Sequence, residues 1–250
     1  QWEAPKAVTT TQHINFMKKH GKKFVAAAKL LEGKTTYTLD EAVALLKKTS
    51  TTKFDPSCEV HMRLGVDPTH AEQMVRSTVA LPNGTGKTVR VIAFVNEEKM
   101  KEAKAAGAEK AGMEELIEEI AKGWLGFDVA VATPEAMKSL GKIAKVLGTK
   151  GLMPNPKAGT VTADVGKTIG EIKKGKVEYR TDKQAQIHQI FGKASFSEAH
   201  LKENLITFVK AVSDNKPSGI KGTYIKNISV ANSMGPGISL DLADAMAALK

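Results

Sequence analysis

Hydrophobic residues recur along this chain with two different periods, one typical of strands and one typical of helices. Residues 58–66 alternate, with Val60 and Met62 on one side and charged or polar side chains on the other. That pattern is typical of a half-buried strand with a charged face. Residues 222–232 predict a last strand, which leads directly into a turn over 233–237.

Helical spacing marks two further segments. Thr38 and Glu41 form a capping-box pair at the start of a helix that continues to residue 48. Residues 195–212 carry an apolar stripe at helical spacing. Two other predicted elements are a short helix running into a strand over 168–182 and a strand over 186–192.

The middle of the chain alternates between strands and helices. The predicted strands are 89–95 and 127–133, and the predicted helices are 97–112, 113–123 and 134–148. This alternation favours a parallel sheet layered with helices. Two clusters rich in glycine and proline, at 81–86 and 148–160, bound the segment and predict turns there.

Charge is distributed unevenly between this middle segment and its flanks. The 250-residue chain has a net charge of +10, but residues 83–159 carry 12 Lys and Arg against 10 Asp and Glu, which leaves +8 in the flanks. A basic surface favours a polyanionic partner. We therefore expect the flanks to bind such a partner, and residues 1–21 to form a basic N-terminal arm.

Composition argues against several classes of protein. No apolar run has the length of a membrane span, so no membrane contact is expected. Cys58 is the single cysteine, which excludes an internal disulfide. The six histidines never fall at a metal-ligand spacing, so we expect no metal and no cofactor.

The motifs that suggest enzymes are incomplete. Residues 83–88 resemble the end of a phosphate-binding loop, but Leu81 stands where its first glycine belongs and a strand is predicted next. The acidic run 114–119 is expected to be a solvated helix face. Cys58 and His61 lie three apart on one strand, so they would point to opposite faces. We expect no catalytic activity.

Eight segments together resemble the large-subunit ribosomal protein L-one family, the protein of the side stalk beside the tRNA exit site. The similarity covers about residues 22–240 and is bacterial or organellar in type. The segments are 51–55, 64–68, 81–91, 127–137, 151–162, 179–183, 187–196 and 233–237.

The resemblance implies two domains of mixed α/β and α+β class. Domain I would be a discontinuous α+β domain from both chain ends, residues 22–82 and 160–250. Domain II would be an inserted Rossmann-like, three-layer α/β domain over 83–159. The hinge between them would contain Pro82, Gly84, Gly86, Pro154, Pro156 and Gly159.

By the same resemblance, domain I would bind large-subunit ribosomal RNA. The implied contacts are Lys53, Phe54, Ser57, Glu59, Arg180, Asp182, Lys183, His188, Ser233, Met234 and Gly235. Cations would neutralise phosphates, and hydroxyls would bind 2′-hydroxyls or phosphates. Met234 would offer an apolar surface, and Gly235 would let the RNA backbone approach.

The implied function is that of a structural constituent of the large ribosomal subunit. It would form the mobile stalk that helps deacylated tRNA leave the exit site, as a monomer within the ribosome. Repression of its own messenger RNA is a second role of the family. A bacterial cytoplasmic ribosome is the favoured location, with an organellar ribosome as the alternative. A general RNA-binding regulatory protein and a nucleotide-dependent α/β enzyme are the rival functions.

Three positions depart from the family pattern. Ser233 replaces threonine, which keeps the hydroxyl and loses a methyl group. Gln184 and Ala185 replace a Thr-Gly turn, so that loop is expected to take another shape. Thr149 replaces a proline beside the hinge, which is expected to loosen it.

Overall fold

The computed structural model describes residues 21–31, 33–217, 219–220 and 222–249, so the predicted basic arm lies outside it except for Gly21. The helices are α1 (Lys22–Lys29), α2 (Leu39–Lys48), α3 (Glu97–Ala105), α4 (Glu114–Ala121), α5 (Ala136–Leu140), α6 (Ala144–Lys150), α7 (Val165–Lys173), α8 (Glu198–Asp214) and α9 (Leu242–Ala247). The strands are β1 (Ser57–Leu64), β2 (Arg76–Ala80), β3 (Val91–Phe94), β4 (Lys110–Gly112), β5 (Val129–Ala132), β6 (Lys176–Arg180), β7 (Gln186–Lys193), β8 (Ile225–Asn232) and β9 (Ile238–Ser239).

Strands from both flanks form a four-stranded antiparallel sheet in the order β7–β1–β8–β9. Val60 and Met62 of β1 are buried, as the alternation predicts. They share a hydrophobic cluster with Leu46 of α2 and Phe208 of α8. The outward residues of β1 remain partly or fully exposed, so the helices cover one face of this sheet.

The capping box at the start of α2 is confirmed. The Thr38 hydroxyl accepts from the Glu41 amide at 3.4 Å, and the Glu41 carboxylate accepts from the Thr38 amide at 3.3 Å. Both bonds satisfy amides that a helix N-terminus leaves unpaired. The cap therefore begins α2 at a defined residue and aims its apolar stripe at the sheet.

Strands of the middle segment form a parallel three-stranded sheet in the order β4–β3–β5. All four residues of β3 are buried, and alternate side chains belong to different hydrophobic clusters. Ile92 packs with helices α4 to α6, whereas Ala93 packs with α3 and α7. Continuous burial of this kind is typical of parallel strands covered on both faces.

Two predicted helices are wrong in part. The helix predicted over 97–112 ends at Ala105, and β4 follows it. Gly107 adopts φ +96°, a left-handed conformation that stops a helix. The helix predicted over 134–148 divides into α5 and α6, with a 3₁₀ turn at Gly141–Ile143 between them.

The mixed α/β class is confirmed, with several separate sheets. Helix α7 lies beyond residue 159 in sequence, yet Val165 and Ile169 pack against β3 and β5. If each hydrophobic cluster is kept within one unit of the chain, the C-terminal boundary of the middle segment lies after α7, near residue 174.

Among the described residues, no helix is long and apolar enough to cross a membrane.

Candidate nucleic-acid interface

The uncovered face of the antiparallel sheet, called here the open face, contains the outward side chains of β1, β7 and β8. On β1 these are Ser57, Glu59, His61 and Arg63. In register across from His61 lie His188 of β7 and Ser229 of β8. Because alternate residues share a face of a sheet, these side chains form one continuous surface.

At one end of the open face, the start of β1 lies next to the turn after β8. The Ser233 amide donates to the Ser57 carbonyl at 3.0 Å, which ties Ser233, Met234 and Gly235 to the segment containing Lys53 and Phe54. These five residues and Ser57 come from chain segments about 180 residues apart. The fold thus brings the first and last groups of predicted contacts to the same place.

Two apolar side chains in this end are exposed. Met234 is 78% exposed and Phe54 is 60% exposed. Met234 also has φ +67°, in a region that residues other than glycine seldom adopt. A methionine held outward on a strained backbone is unfavourable in the free protein, which favours a role in binding over a role in packing.

Gly235 is required by the protein itself. A Cβ atom at this position would overlap the Asn232 carboxamide oxygen. Asn232 is buried, and its amide donates to the Leu46 carbonyl of α2 at 2.8 Å. This internal contact explains why the residue is glycine, and the approach of RNA backbone to Gly235 stays a prediction.

Two residues that the sequence reasoning missed hold the start of β1. Lys193 of β7 donates to the Ser57 hydroxyl at 3.0 Å. Ser195 donates through its amide and its hydroxyl to the carboxylate of Asp55, at 3.0 and 2.8 Å. The alternation of β1 already indicated Arg63 as part of the charged face, whereas these contacts depend on strand pairing that the sequence does not show.

The centre of the open face contains a histidine pair. The Nδ1 atoms of His61 and His188 lie 2.9 Å apart, a contact that one shared proton stabilises and two would break. Glu59 lies 3.9 Å from His61, and Asp182 lies 3.5 Å from His188. Burial and the neighbouring His188 lower the pKa of His61 below its ordinary value, and Glu59 opposes that shift.

The far end of the open face is the turn between β6 and β7, which contains Asp182 and Lys183. One Asp182 oxygen accepts from the amides of Gln184 and Gln186, at 2.8 and 2.7 Å. Partial burial raises the pKa of Asp182, but these amides and His188 outweigh it, so the pKa lies below its ordinary value. Asp182 thereby fixes the turn, while Lys183 is exposed.

The departure at Gln184 and Ala185 is accommodated without glycine. Ala185 adopts φ +60° and is buried, and its carbonyl accepts from the Leu64 amide at 2.9 Å. A left-handed alanine is strained by about 1–2 kcal/mol. The turn therefore adopts a conformation suited to glycine, at the expense of backbone strain.

Three of the predicted RNA contacts are cations whose side chains have no partner among the described residues. Lys53, Arg180 and Lys183 are exposed, and their side chains form no hydrogen bond or ion pair with any residue in the described ranges. By contrast Arg76, which pairs with Arg180 across β2 and β6, is bound to Glu178. The three free cations are consequently available to phosphate groups.

The predicted hinge residues lie in two segments. Gly84, Gly86 and Gly159 have φ between +63° and +72°. In the first segment, which also contains Pro82, Asn204 of α8 donates to the Gly84 carbonyl at 2.9 Å. The other predicted members are Pro154, which is buried, and Pro156, which begins a 3₁₀ turn.

Side chains that suggested enzymatic chemistry are used structurally. Lys87 of the incomplete phosphate-binding motif donates to Asp128 at 2.8 Å, and with Arg90 it lowers the pKa of Asp128 to about 2. Cys58 is fully buried on the inward side of β1, and burial raises the pKa of its thiol to about 12. His61 lies on the outward side, as expected.

Free cations, hydroxyls and exposed apolar side chains, as found on this surface, are groups with which proteins contact a folded nucleic acid. The family model described as the Ribosomal protein L1p/L10e family matches residues 46–236, and the chain belongs to that family. The resemblance of the eight segments is thereby confirmed.

Family membership establishes the coarse function. The chain is a structural protein of the ribosome rather than an enzyme, and it binds large-subunit ribosomal RNA. Its location is accordingly the ribosome.

Proposed function

We propose that the open face is the surface that binds ribosomal RNA, and that the complex forms the mobile stalk that helps deacylated tRNA leave the exit site. One observation carries this proposal. The predicted contacts come from three separate parts of the sequence, and the fold arranges them along a single exposed surface. Repression of the protein's own messenger RNA would use the same surface.

The arrangement suits RNA that is recognised by its shape. Ser57 and Arg63 are six residues apart on β1, so the strand spans about 20 Å between them. Free cations lie at both ends of this span, and the histidine pair lies between them. Folded RNA presents phosphates and 2′-hydroxyls on its surface, and contacts with these groups require little aromatic stacking.

We further propose that the chain has two domains that move relative to each other about the two hinge segments. Domain II, the Rossmann-like unit, would extend to about residue 174 because α7 packs on its sheet. Its charge is nearly neutral, which leaves RNA binding to domain I. In the stalk, domain II would add contacts near the tRNA.

The direct test compares two RNAs. Affinity for a stalk ribosomal-RNA fragment and for a scrambled hairpin is measured at about 50 and about 200 mM salt. We expect tighter binding to the stalk fragment at both concentrations, and weaker binding of both RNAs at the higher one. Equal affinities for the two RNAs would contradict the proposal.

The open face itself is tested by Met234→Asp. The change places a negative charge beside the expected RNA backbone, so the dissociation constant for the stalk fragment should rise about tenfold or more. Met246→Asp on α9 is the matched control, because Met246 is also exposed and lies outside the open face. Similar dissociation constants for the two variants would exclude the turn from the interface.

The rival enzymatic function predicts specific binding of a nucleoside triphosphate to the α/β unit. Isothermal titration with ATP and GTP distinguishes the two functions. We expect no saturable heat, because Lys87 is already paired with Asp128.

A further inference from the structure

A groove continues from the far end of the open face, and none of the predicted contacts explains its apolar wall. It lies between the β1–β2 loop and the β6–β7 turn and has a volume of about 620 Å³. Its apolar wall consists of Pro68 and Met74, and its lining also includes the charged or titratable residues Glu178, Arg180, Asp182, Lys183 and His188. The groove is open to solvent where it meets His188.

Met74 in the apolar wall is not used for packing. It is 51% exposed and belongs to none of the hydrophobic clusters that the described residues form. Its position is nevertheless fixed, because the carbonyl of the next residue, Val75, accepts from the Thr181 amide at 2.9 Å. An exposed apolar side chain on a fixed backbone is a preformed contact surface.

Two cations also belong to the lining of the groove. The side chains of Arg180 and Lys183 have no partner among the residues that the structure describes. Two carboxylates also line the groove: Glu178 is bound to Arg76, and Asp182 is held by two backbone amides and lies 3.5 Å from His188. Both carboxylates are therefore engaged, and Arg180 and Lys183 remain as unpaired cations beside the apolar wall.

We propose that this groove binds one unpaired nucleotide of the ribosomal RNA. Its base would lie against Met74 and Pro68, and its phosphate would contact Arg180 and Lys183. An apolar wall beside two unpaired cations fits the two halves of a nucleotide, and pockets of several hundred Å³ accommodate ligands of this size. The inference rests on the proposed function, because the groove joins the open face at His188.

Two variants separate the base from the phosphate. Met74→Ala removes the contact with the base, so the dissociation constant for the stalk fragment should rise about five- to tenfold. The dependence of affinity on salt should stay as in the wild type. Arg180→Gln removes a phosphate contact, so the slope of log K against log salt should become shallower by about 0.7. Met246→Ala is the matched control for the loss of a half-exposed methionine.

Chemical modification of the RNA bases gives a second measurement. Wild-type protein should protect one unpaired base of the fragment, and Met74→Ala should expose that base again while other protections persist. Thermal unfolding checks that each variant folds. Wild-type affinity and an unchanged protection pattern for Met74→Ala would overturn the inference.

The failure of this inference can be distinguished from the failure of the proposed function. If Met234→Asp weakens binding and Met74→Ala does not, the groove is not a nucleotide site while the open face remains the interface. If wild-type protein binds the stalk fragment and the scrambled hairpin equally, both the proposed function and the groove inference are wrong.

Discussion

The parallel and antiparallel sheets of this protein bury their side chains in different ways. Every residue of β3 is buried, because helices cover both faces of its sheet. Along β1 only alternate residues are buried, and the intervening ones form the open face. The comparison teaches that the sheet with one uncovered face has side chains available for a partner, whereas the side chains of the covered sheet stabilise the fold.

The largest expected difference between the two sheets concerns stability. Ile92→Ala should reduce the free energy of unfolding by about 3–4 kcal/mol, because Ile92 is fully buried and a cavity would remain. His61→Ala on the open face should change it by less than about 1 kcal/mol. Urea unfolding followed by circular dichroism measures both. Equal losses would show that the open face also stabilises the fold.

A smaller loss of stability is expected at the turn after β8, where the open face contacts the core. Gly235→Ala should cost about 2–3 kcal/mol of unfolding free energy, because the added methyl group displaces Asn232 and leaves buried polar groups unpaired. Gly237→Ala is the control, since a Cβ atom there meets nothing within 4 Å. A stable Gly235→Ala variant would show instead that this glycine serves only the partner.

The histidine pair on the open face predicts that the free energy of unfolding depends on pH. The pKa of His61 is lower in the folded protein than in the unfolded chain. As the pH falls, the unfolded chain therefore takes up the proton first. Stability should therefore fall as the pH decreases from about 7.5 to about 5.5.

His61→Gln should reduce that fall in stability, as measured by urea unfolding at each pH. His188→Gln removes one of the two causes of the shift and should reduce the fall part way. A wild-type pH dependence in both variants would show that other groups cause it.

The smallest expected effect is a gain in stability. Ala185→Gly relieves the strain of φ +60°, although glycine also increases the freedom of the unfolded chain. The net gain should be about 0.5–1 kcal/mol in urea unfolding. A loss of stability would mean that the buried methyl group of Ala185 contributes more than its backbone strain.

Much of the local structure could be predicted because its causes are local. The alternation of β1 and the capping box of α2 each depend on residues close together in the chain. The segments that resemble the ribosomal family also indicated its membership correctly. Strand β4 was missed because its three residues show no period, and it exists only through pairing with β3.

For the candidate site, the sequence by itself determined which residue types are available. It indicated the charged side of β1, and through the family resemblance it indicated the turn at Met234. Only the tertiary structure decided that these parts meet, because the pairing of β1 with β7 and β8 joins segments more than 120 residues apart. It also decided that Gly235 makes room for Asn232, and that Met74 and Arg180 line the same groove. Such contacts arise from long-range packing, which no local pattern in a single sequence encodes.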